Sequence, residues 1–516
     1  MSTDKNVQQS FAVRNAHTRA ALLSRRQVAR TALTSVGVLA LTSTLSACAP
    51  KHAAEMHEQT KVTKTISCDV LVIGGGGAGV SAAAAAAQHG ASTILIEKMP
   101  WLAGSSSLAL GTFYGAGTQL QKKAGIKDSP AGLLEYFMRR GGQNLNYDVQ
   151  KFCAEHFGET IDWLTGDLKV PFRDVVSLKG TDTVPRGHNC KVAAIDALRA
   201  VAALARDAKV QFHFNTAAKE LVMNDDGSVG GVLAFDSNQQ LVRYSAKNTI
   251  MATGGFCRND QMISTYMPDY AGVYTEVATG LTGEGLQMGL DKGAAYIGHG
   301  GTNGILSCAV EPGQSKLINR GALWVNSRGE RFANEAGQPH DIYYQVAKFP
   351  DRKFFAIYDE AAYARLSDKL RKQMQRGIKM GIVTKANTIK EAADKLGIQG
   401  DVCAETLAAY NASCQRGNDA QFNKKPEFLK SLTQAPFYVI TLGICTHGSF
   451  GGYNVNTRFE VLDKRDNPIP HFYAVGEVSC GTFIYDDYPS GGCGLNWAYT
   501  SGRFAGEYAA QNKVLA

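Results

Sequence analysis

The apolar positions of this chain follow two rhythms. Residues 69–73 run into an unbroken apolar stretch, as a strand buried on both faces requires. Residues 80–88 then read as a helix whose six consecutive alanines let it lie close on a sheet. Residues 93–96 form a second apolar strand that ends at Glu97. LLEYFMRR and AIDALRAVAALARDA repeat with the helical period, so residues 128–208 read as mostly helical. Residues 210–214, 218–223 and 229–235 read as strands of a meander with a turn at Asp225-Asp226-Gly227, and 249–252 as a further strand. Helical spacing returns at 389–396 and 400–414. Abundant glycine and modest charge suit an α/β protein with many tight turns, and the length allows two to four domains.

The junction between the first strand and the first helix carries Gly74, Gly76 and Gly79 as G-x-G-x-x-G, with Gly77 inside it. The first glycine permits the tight turn, the second lets the backbone approach a pyrophosphate, and the third lets helix and strand touch. The helix N-terminus offers free N–H groups and the positive end of its dipole to phosphates. Glu97, at the end of the second strand, is placed to accept hydrogen bonds from an adenosine ribose.

The formal net charge is +8, but Lys5, Arg14, Arg19, Arg25, Arg26 and Arg30 lie in residues 1–47 against the single acid Asp4. The remainder is close to balanced, which argues against a nucleic-acid partner. Ser24-Arg25-Arg26-Gln27-Val28 resembles a twin-arginine export signal, and residues 31–45 after it are too short and too polar for a good membrane span. Leu45-Ser46-Ala47-Cys48 resembles a lipobox, whose cysteine is lipidated after cleavage. The expectation is an exported protein in the cell envelope, anchored by lipid to the membrane and facing away from the cytoplasm. The cysteines form no C-x-x-C and no C-x-x-C-H, so no haem attachment, iron–sulfur or zinc site is expected, and no metal.

ATGGF at 252–256, TGEG at 282–285 and FYAVGEV at 472–478 accompany the glycine motif. Together they resemble the flavoproteins of the fumarate reductase and 3-ketosteroid dehydrogenase superfamily, over roughly residues 66–510. The resemblance implies a Rossmann-like α/β FAD-binding domain that is split, with an inserted α+β cap between its halves. The expected division is a signal at 1–47, a linker at 48–65, the first part of the FAD domain at 66–296, the cap at 297–435 and the second part at 436–516. It implies FAD contacts from Gly74, Gly76, Gly77, Gly79, Glu97 and Lys98, and from Gly104, Ser105, Ser106 and Gly111 in the small-residue stretch after Trp101. Further contacts fall on Ala218, Thr253, Gly254, Glu477, Gly494 and Leu495, the last two in the segment 494–497.

The cap is where the chain departs from the resemblance. Fumarate reductases hold a dicarboxylate with two histidines and two arginines, and one arginine delivers a proton. Here Gly304 lies near the expected His-Pro-Thr, Gln314-Ser315 replaces Thr-Glu, and Ile318 or Asn319 replaces the next arginine. Pro339, beside His340, replaces the proton donor, and Pro489 replaces the arginine before the C-terminal double glycine. Only His447 matches a substrate-side histidine. Without the bidentate arginine clamps a small dianion is a poor substrate. Residues 485–492 instead resemble the Tyr-Pro-Gly turn of ketosteroid dehydrogenases. In those enzymes a tyrosine and a backbone N–H grip a ketone oxygen. The candidate catalytic residues are therefore Tyr488, Ser490, Gly492, His340, Tyr344 and His447, with Tyr343 beside them. The reading is an FAD-dependent oxidoreductase that reduces or desaturates a C=C bond conjugated to a carbonyl, in an enone, a 3-ketosteroid-like ring or an aryl-acrylate. A separate donor, a membrane quinol or cytochrome or a flavin carrier protein, supplies electrons. The alternatives are a fumarate- or urocanate-type reductase with an altered carboxylate clamp, and an electron-relay flavoprotein subunit.

Overall fold

The computed structural model describes residues 61–141, 144–179, 181–308, 317–318, 321–337, 339–485 and 487–512, without the side chains of Pro339 and His340. The tail motifs at Arg25, Arg26 and Cys48, the pair Gln314-Ser315, Asn319 and Asp486 lie outside the described residues.

The first strand is Lys64–Ile73, longer than the apolar run alone predicts. Its polar first half pairs with Leu241–Met251 from Lys64↔Val242 onward, so part of the expected linker is sheet. Parallel pairing builds the sheet in the order Gln211–His213, Thr93–Ile96, Lys64–Ile73, Leu241–Met251, Pro468–Ala474, and antiparallel Glu460–Leu462 closes that edge. The hairpin Ala217–Met223 with Val229–Phe235 attaches antiparallel to the first half of Leu241–Met251. Two of the three strands expected in a meander form it; the third, Gln211–His213, pairs parallel with Thr93–Ile96 at the sheet edge instead, and Leu241–Met251 takes its place.

The glycine-loop helix, Gly77–Gln88, begins earlier than its apolar pattern, because the last motif glycine sits in its first turn with Gly76 as N-cap. Its alanines meet the C-terminal helix, Cys493–Gln511. The approach is set by backbone. A β-carbon on Gly502 would lie 2.2 Å from the Ala78 oxygen, and one on Gly506 would lie 2.2 Å from the Ala82 oxygen. Only glycine allows two helices this close.

Residues 128–208 are less uniformly helical than expected. The helices Pro130–Arg140, Tyr147–Asp162 and Ile195–Asp207 form. Between the last two, Gly187–Asn189 pairs antiparallel with Thr112–Tyr114. There His188 is buried between Thr118 Oγ1 and the Arg186 carbonyl, both 2.8 Å away.

A second sheet runs Gly304–Ser307, Phe437–Thr446, Lys353–Tyr358, Leu323–Val325. Val383–Ala386 and Tyr274–Thr275 also pair with Phe437–Thr446. The expected boundary at 435/436 thus falls just before the central strand of this sheet. The chain re-enters the first sheet only at Glu460–Leu462. Likewise Tyr274–Thr275, which precedes the expected cap start at 297, belongs to the second sheet. An apolar strand carries no mark of which sheet it will join. Helices Ile389–Asp394 and Gly400–Arg416 pack on this sheet around Leu407, Tyr410 and Val439. Among the described residues no helix is long and apolar enough to cross a membrane.

Candidate active site

The glycine loop has one open face. A β-carbon on Gly74 would lie 2.4 Å from the Ala252 oxygen, and one on Gly79 would lie 1.9 Å from the Gly74 oxygen, so protein closes both positions. At Gly76 it would meet nothing nearer than the Gly104 Cα, at 3.9 Å. Gly104 itself takes φ +58, a left-handed conformation that favours glycine. Gly76 and Gly104 therefore line a cradle that a side chain on either would enter. Ser106 Oγ accepts the Gly77 N–H at 3.1 Å and ties the small-residue stretch to the loop. Ser105 Oγ accepts the Ala278 N–H at 3.3 Å.

Glu97 lies at the loop as expected. Its Oε2 accepts the Gly75 N–H at 2.6 Å and its Oε1 accepts the Met99 N–H at 2.7 Å, which fixes the carboxylate beside the cradle. Lys98 turns elsewhere and donates to Thr282 Oγ1 and Glu284 Oε2, each at 2.6 Å. Gly111 is required by packing, since a β-carbon there would lie 2.9 Å from the Ala194 nitrogen. Thr253 packs its side chain against Gly285, while Gly254 makes the turn after the strand at φ +75. Ala218 lies half-buried on its hairpin strand opposite Ala234. Lys98, Gly111 and Thr253 thus each have a protein-internal role here beside their expected place near the cofactor.

At the far end of the cradle Glu477 Oε1 accepts from the Ser449 N–H at 2.9 Å and from Ser449 Oγ at 3.2 Å. Burial raises its carboxyl above the ordinary range. The C-terminal helix begins nearby, with Gly492 as N-cap at φ +106. The Gly494 N–H donates to the Tyr488 hydroxyl oxygen at 2.9 Å. The Tyr488 ring stacks on Phe450, with centroids 5.3 Å apart and planes 10° apart. Burial raises the phenol above its ordinary range, so it stays protonated and able to donate. Ser490 Oγ is buried with no hydrogen-bond partner. Leu495 is half-buried beside Gly494. Asn496 and Trp497 are buried and bond the backbone instead, Asn496 to Tyr114 O at 2.8 Å and Trp497 Nε1 to Gly476 O at 2.9 Å.

The cap side supplies His447, whose Nε2 lies 3.0 Å from Glu276 Oε2. Register fixes the pair, since Tyr274↔Cys445 and Thr275↔Thr446 pair in parallel and the Glu276 N–H then donates to Thr446 O at 3.0 Å. The ligand-type atoms of Glu276, Cys445 and His447 lie within 4.8 Å of one another. Tyr343 and Tyr344 sit on the helix Pro339–Ala347, with rings 5.7 Å apart and nearly perpendicular. Tyr343 is fully buried, and a β-carbon on Gly304 would lie 2.2 Å from its ring. The space freed at Gly304 is thus filled by a phenol, whose hydroxyl has no hydrogen-bond partner among the described residues. His340 is the second residue of the same helix.

Sequence reading missed Glu276 and Arg140. Arg140 Nη1 lies 3.0 Å from Asp487 Oδ2, and its Nη2 lies 3.9 Å from Asp341, so it bridges the Tyr488 turn and the tyrosine helix. No local pattern marks either residue, because each acquires its role from a partner distant in the chain. Arg331 is not available to the pocket, since it is buried against Glu335 and Asp419 at 2.9 and 2.8 Å.

A glycine cradle at the carboxyl ends of a parallel sheet, an acid beside it, and a helix N-terminus at its far end define a dinucleotide-type flavoprotein. Residues 69–495 match the FAD binding domain family. The chain belongs to that family, and its cofactor is FAD. It is 30% identical over 450 residues to the fumarate reductase (cytochrome) of Shewanella frigidimarina, a match spanning 86% of this chain and 77% of that protein. It is 29% identical to the vinyl phenol reductase of Lactiplantibacillus plantarum, spanning 87% of this chain and 98% of that one. The NADH:fumarate oxidoreductase of Klebsiella pneumoniae is 28% identical over 86% of this chain, which spans 48% of that protein's length. Among solved structures, the open conformation of a flavocytochrome c3 fumarate reductase matches with a TM-score of 0.74 and 26% identity, over 89% of this chain and 81% of that one. A 3-ketosteroid-Δ4-(5α)-dehydrogenase from Rhodococcus jostii matches with a TM-score of 0.72 and 25% identity, over 88% and 98% of the two chains.

Proposed function

We propose that this chain is an FAD-dependent reductase of a C=C bond conjugated to a carbonyl or aryl group, in a substrate that is not a dicarboxylate. Gly74, Gly76, Gly104 and Glu97 hold the diphosphate and ribose, and Glu477 and Gly494 lie along the flavin. The flavin supplies the two-electron hydride chemistry. The observation that carries this reading is the Tyr488 hydroxyl, held by the Gly494 N–H at the head of a helix beside the partnerless Ser490 hydroxyl. A protonated phenol so fixed donates to a substrate oxygen as negative charge builds on it. Tyr343, buried and partnerless, is the candidate for holding the proton at the adjacent carbon. The vinyl phenol reductase and ketosteroid dehydrogenase likenesses support the choice of substrate. Oxidation of reduced methyl viologen under anaerobic conditions tests it, with benzylideneacetone, 4-vinylphenol, cinnamate, urocanate and fumarate as acceptors. Enone or vinylphenol turnover well above fumarate is the expected result, and fumarate as the best acceptor refutes it.

One observation favours the fumarate-type reading. Arg140 brings a guanidinium to the Tyr488 turn, where the expected arginine is Pro489. Under that reading Arg140→Gln abolishes fumarate turnover; under the first it leaves enone turnover within a few-fold.

Electrons come from a separate donor, a membrane quinol or cytochrome or a flavin carrier. The twin-arginine and lipobox residues support export and lipid anchoring at Cys48. Cell fractionation of Arg25→Lys with Arg26→Lys should find the protein in the cytoplasm. An exported wild type that still carries residues 1–47 would count against processing at Cys48.

A further inference from the structure

We propose that Tyr136 is a positioning residue for Tyr488. It holds the turn 488–492 so that the Tyr488 phenol and the Ser490 hydroxyl face a substrate oxygen. This deepens the function proposed above and rests on it, because it names what fixes the proposed donor in place.

The tie is one hydrogen bond between two buried partners. Tyr136 Oη donates to the Pro489 carbonyl at 2.7 Å, across 353 positions of sequence. Proline has no N–H, so the carbonyl is the one backbone group through which a hydrogen bond can hold Pro489. That carbonyl belongs to the peptide joining Pro489 to Ser490, and Tyr488 directly precedes it. Rotation of the peptide shifts the hydroxyls on either side of it. Two further bonds lie within the turn and its helix. The Gly494 N–H donates to the Tyr488 oxygen at 2.9 Å, and the Cys493 N–H donates to the Ser490 carbonyl at 3.2 Å. Both move with the segment, whereas Tyr136 grips it from outside.

Tyr136 is itself a fixed reference point. It is buried on the helix Pro130–Arg140. Its ring packs on Tyr114, with centroids 5.9 Å apart, and the Arg186 guanidinium stands 5.8 Å from its centroid. Arg186 is in turn clamped by Asp128 at 2.7 Å and Asp182 at 2.9 Å, and all three side chains are buried. The loop closes on the C-terminal helix, where Asn496 Nδ2 donates to the Tyr114 carbonyl at 2.8 Å. Burial raises the Tyr136 phenol, which keeps it protonated as the donor. Misplacing a reacting group by about 1 Å costs on the order of a hundredfold in rate, so one lost restraint on the turn is visible in turnover.

The test is a double-mutant cycle of Tyr136→Phe and Tyr488→Phe on the holoprotein. It is read as kcat and KM for benzylideneacetone with reduced methyl viologen. Tyr136→Phe keeps the ring and its packing and removes only the hydroxyl. It should lower kcat by about tenfold and leave KM within about twofold. With Tyr488→Phe already present it should change kcat by less than about twofold, since the group it positions is gone. Gln150→Met is the control for a purely structural loss. Gln150 Nε2 donates to the buried Phe483 carbonyl at 2.6 Å, a comparable tie from the next helix to the chain ahead of the turn. Its loss should lower the thermal midpoint as Tyr136→Phe does, with kcat within about twofold of wild type. Flavin absorbance confirms that each variant is loaded.

Near-normal kcat in Tyr136→Phe, an equal loss in both backgrounds, or an equal loss in Gln150→Met overturns the inference. Any of these beside a slow Tyr488→Phe leaves the proposed function standing. A Tyr488→Phe enzyme at full rate removes the donor itself, and with it both the reading of the site and the inference built on it.

Discussion

The phenol of Tyr488 caps the C-terminal helix, its oxygen accepting the Gly494 N–H at 2.9 Å while its own proton remains available to donate. Six residues separate the two, and Gly492, at φ +106, makes the fold-back possible. One hydroxyl thus serves the fold as acceptor and the proposed chemistry as donor.

Tyr488→Phe separates those roles. Loss of the acceptor leaves a helix N–H unpaired and should lower stability by about 1 kcal/mol. Loss of the donor should lower turnover by on the order of a hundredfold. The ring keeps its stack on Phe450, so flavin content should hold. Denaturation, flavin absorbance and viologen kinetics on the same preparation read all three. Near-normal turnover would make Tyr488 a packing residue.

Gly76 and Gly79 should fail differently when changed to valine. At Gly76 the space in front of the backbone is open, so Gly76→Val should fold and purify colourless. At Gly79 a β-carbon would strike the Gly74 oxygen at 1.9 Å, so Gly79→Val should lose stability before it loses flavin specifically. Circular dichroism and the flavin-to-protein ratio distinguish the two outcomes. A fully yellow Gly76→Val would contradict the cradle assignment.

His188 makes stability depend on pH. Burial lowers its imidazole from the ordinary 6.5 to about 4, despite the opposing hydrogen bond to Arg186. The unfolded chain takes up the proton near 6.5 and the folded protein only near 4. This contribution is therefore intact above 6.5 and is lost as pH falls from 6.5 to 4, to a total of about 3 kcal/mol. Urea midpoints should fall steeply over that window, and His188→Gln should flatten the slope whatever it does to stability at neutral pH. An equally steep slope in His188→Gln would assign the acid sensitivity to other groups.

The sequence made the first βα unit readable because everything that defines it is local: an apolar run, three glycines, a small-residue helix and Glu97. The FAD family followed from it together with three further glycine-rich segments. Elements whose partners lie far away were not readable. The 437–446 strand carries an apolar pattern that suits either sheet, and only its pairing with Lys353–Tyr358 assigns it to the second. The polar stretch 64–68 becomes strand because Leu241–Met251 extends alongside it. The ion pair of Lys98 with Glu284, at 2.6 Å, was not readable either, since the two lie 186 positions apart. Glu276 and Arg140 had no signal at all, since each meets a residue far away in the chain, His447 in one case and Asp487 in the other.

The backbone contact of Gly502 and Gly506 on the glycine-loop helix makes the two ends of the fold depend on each other. The helix at 77–88 is made almost wholly of small residues that bury little on their own. The surface it needs is in the helix at 493–511, about 400 residues further along the chain. The glycine loop is tied locally by Ser106 and Glu97, but its helix gains its main packing surface from that distant partner. A complete seat for the cofactor therefore needs both ends of the fold to be packed together.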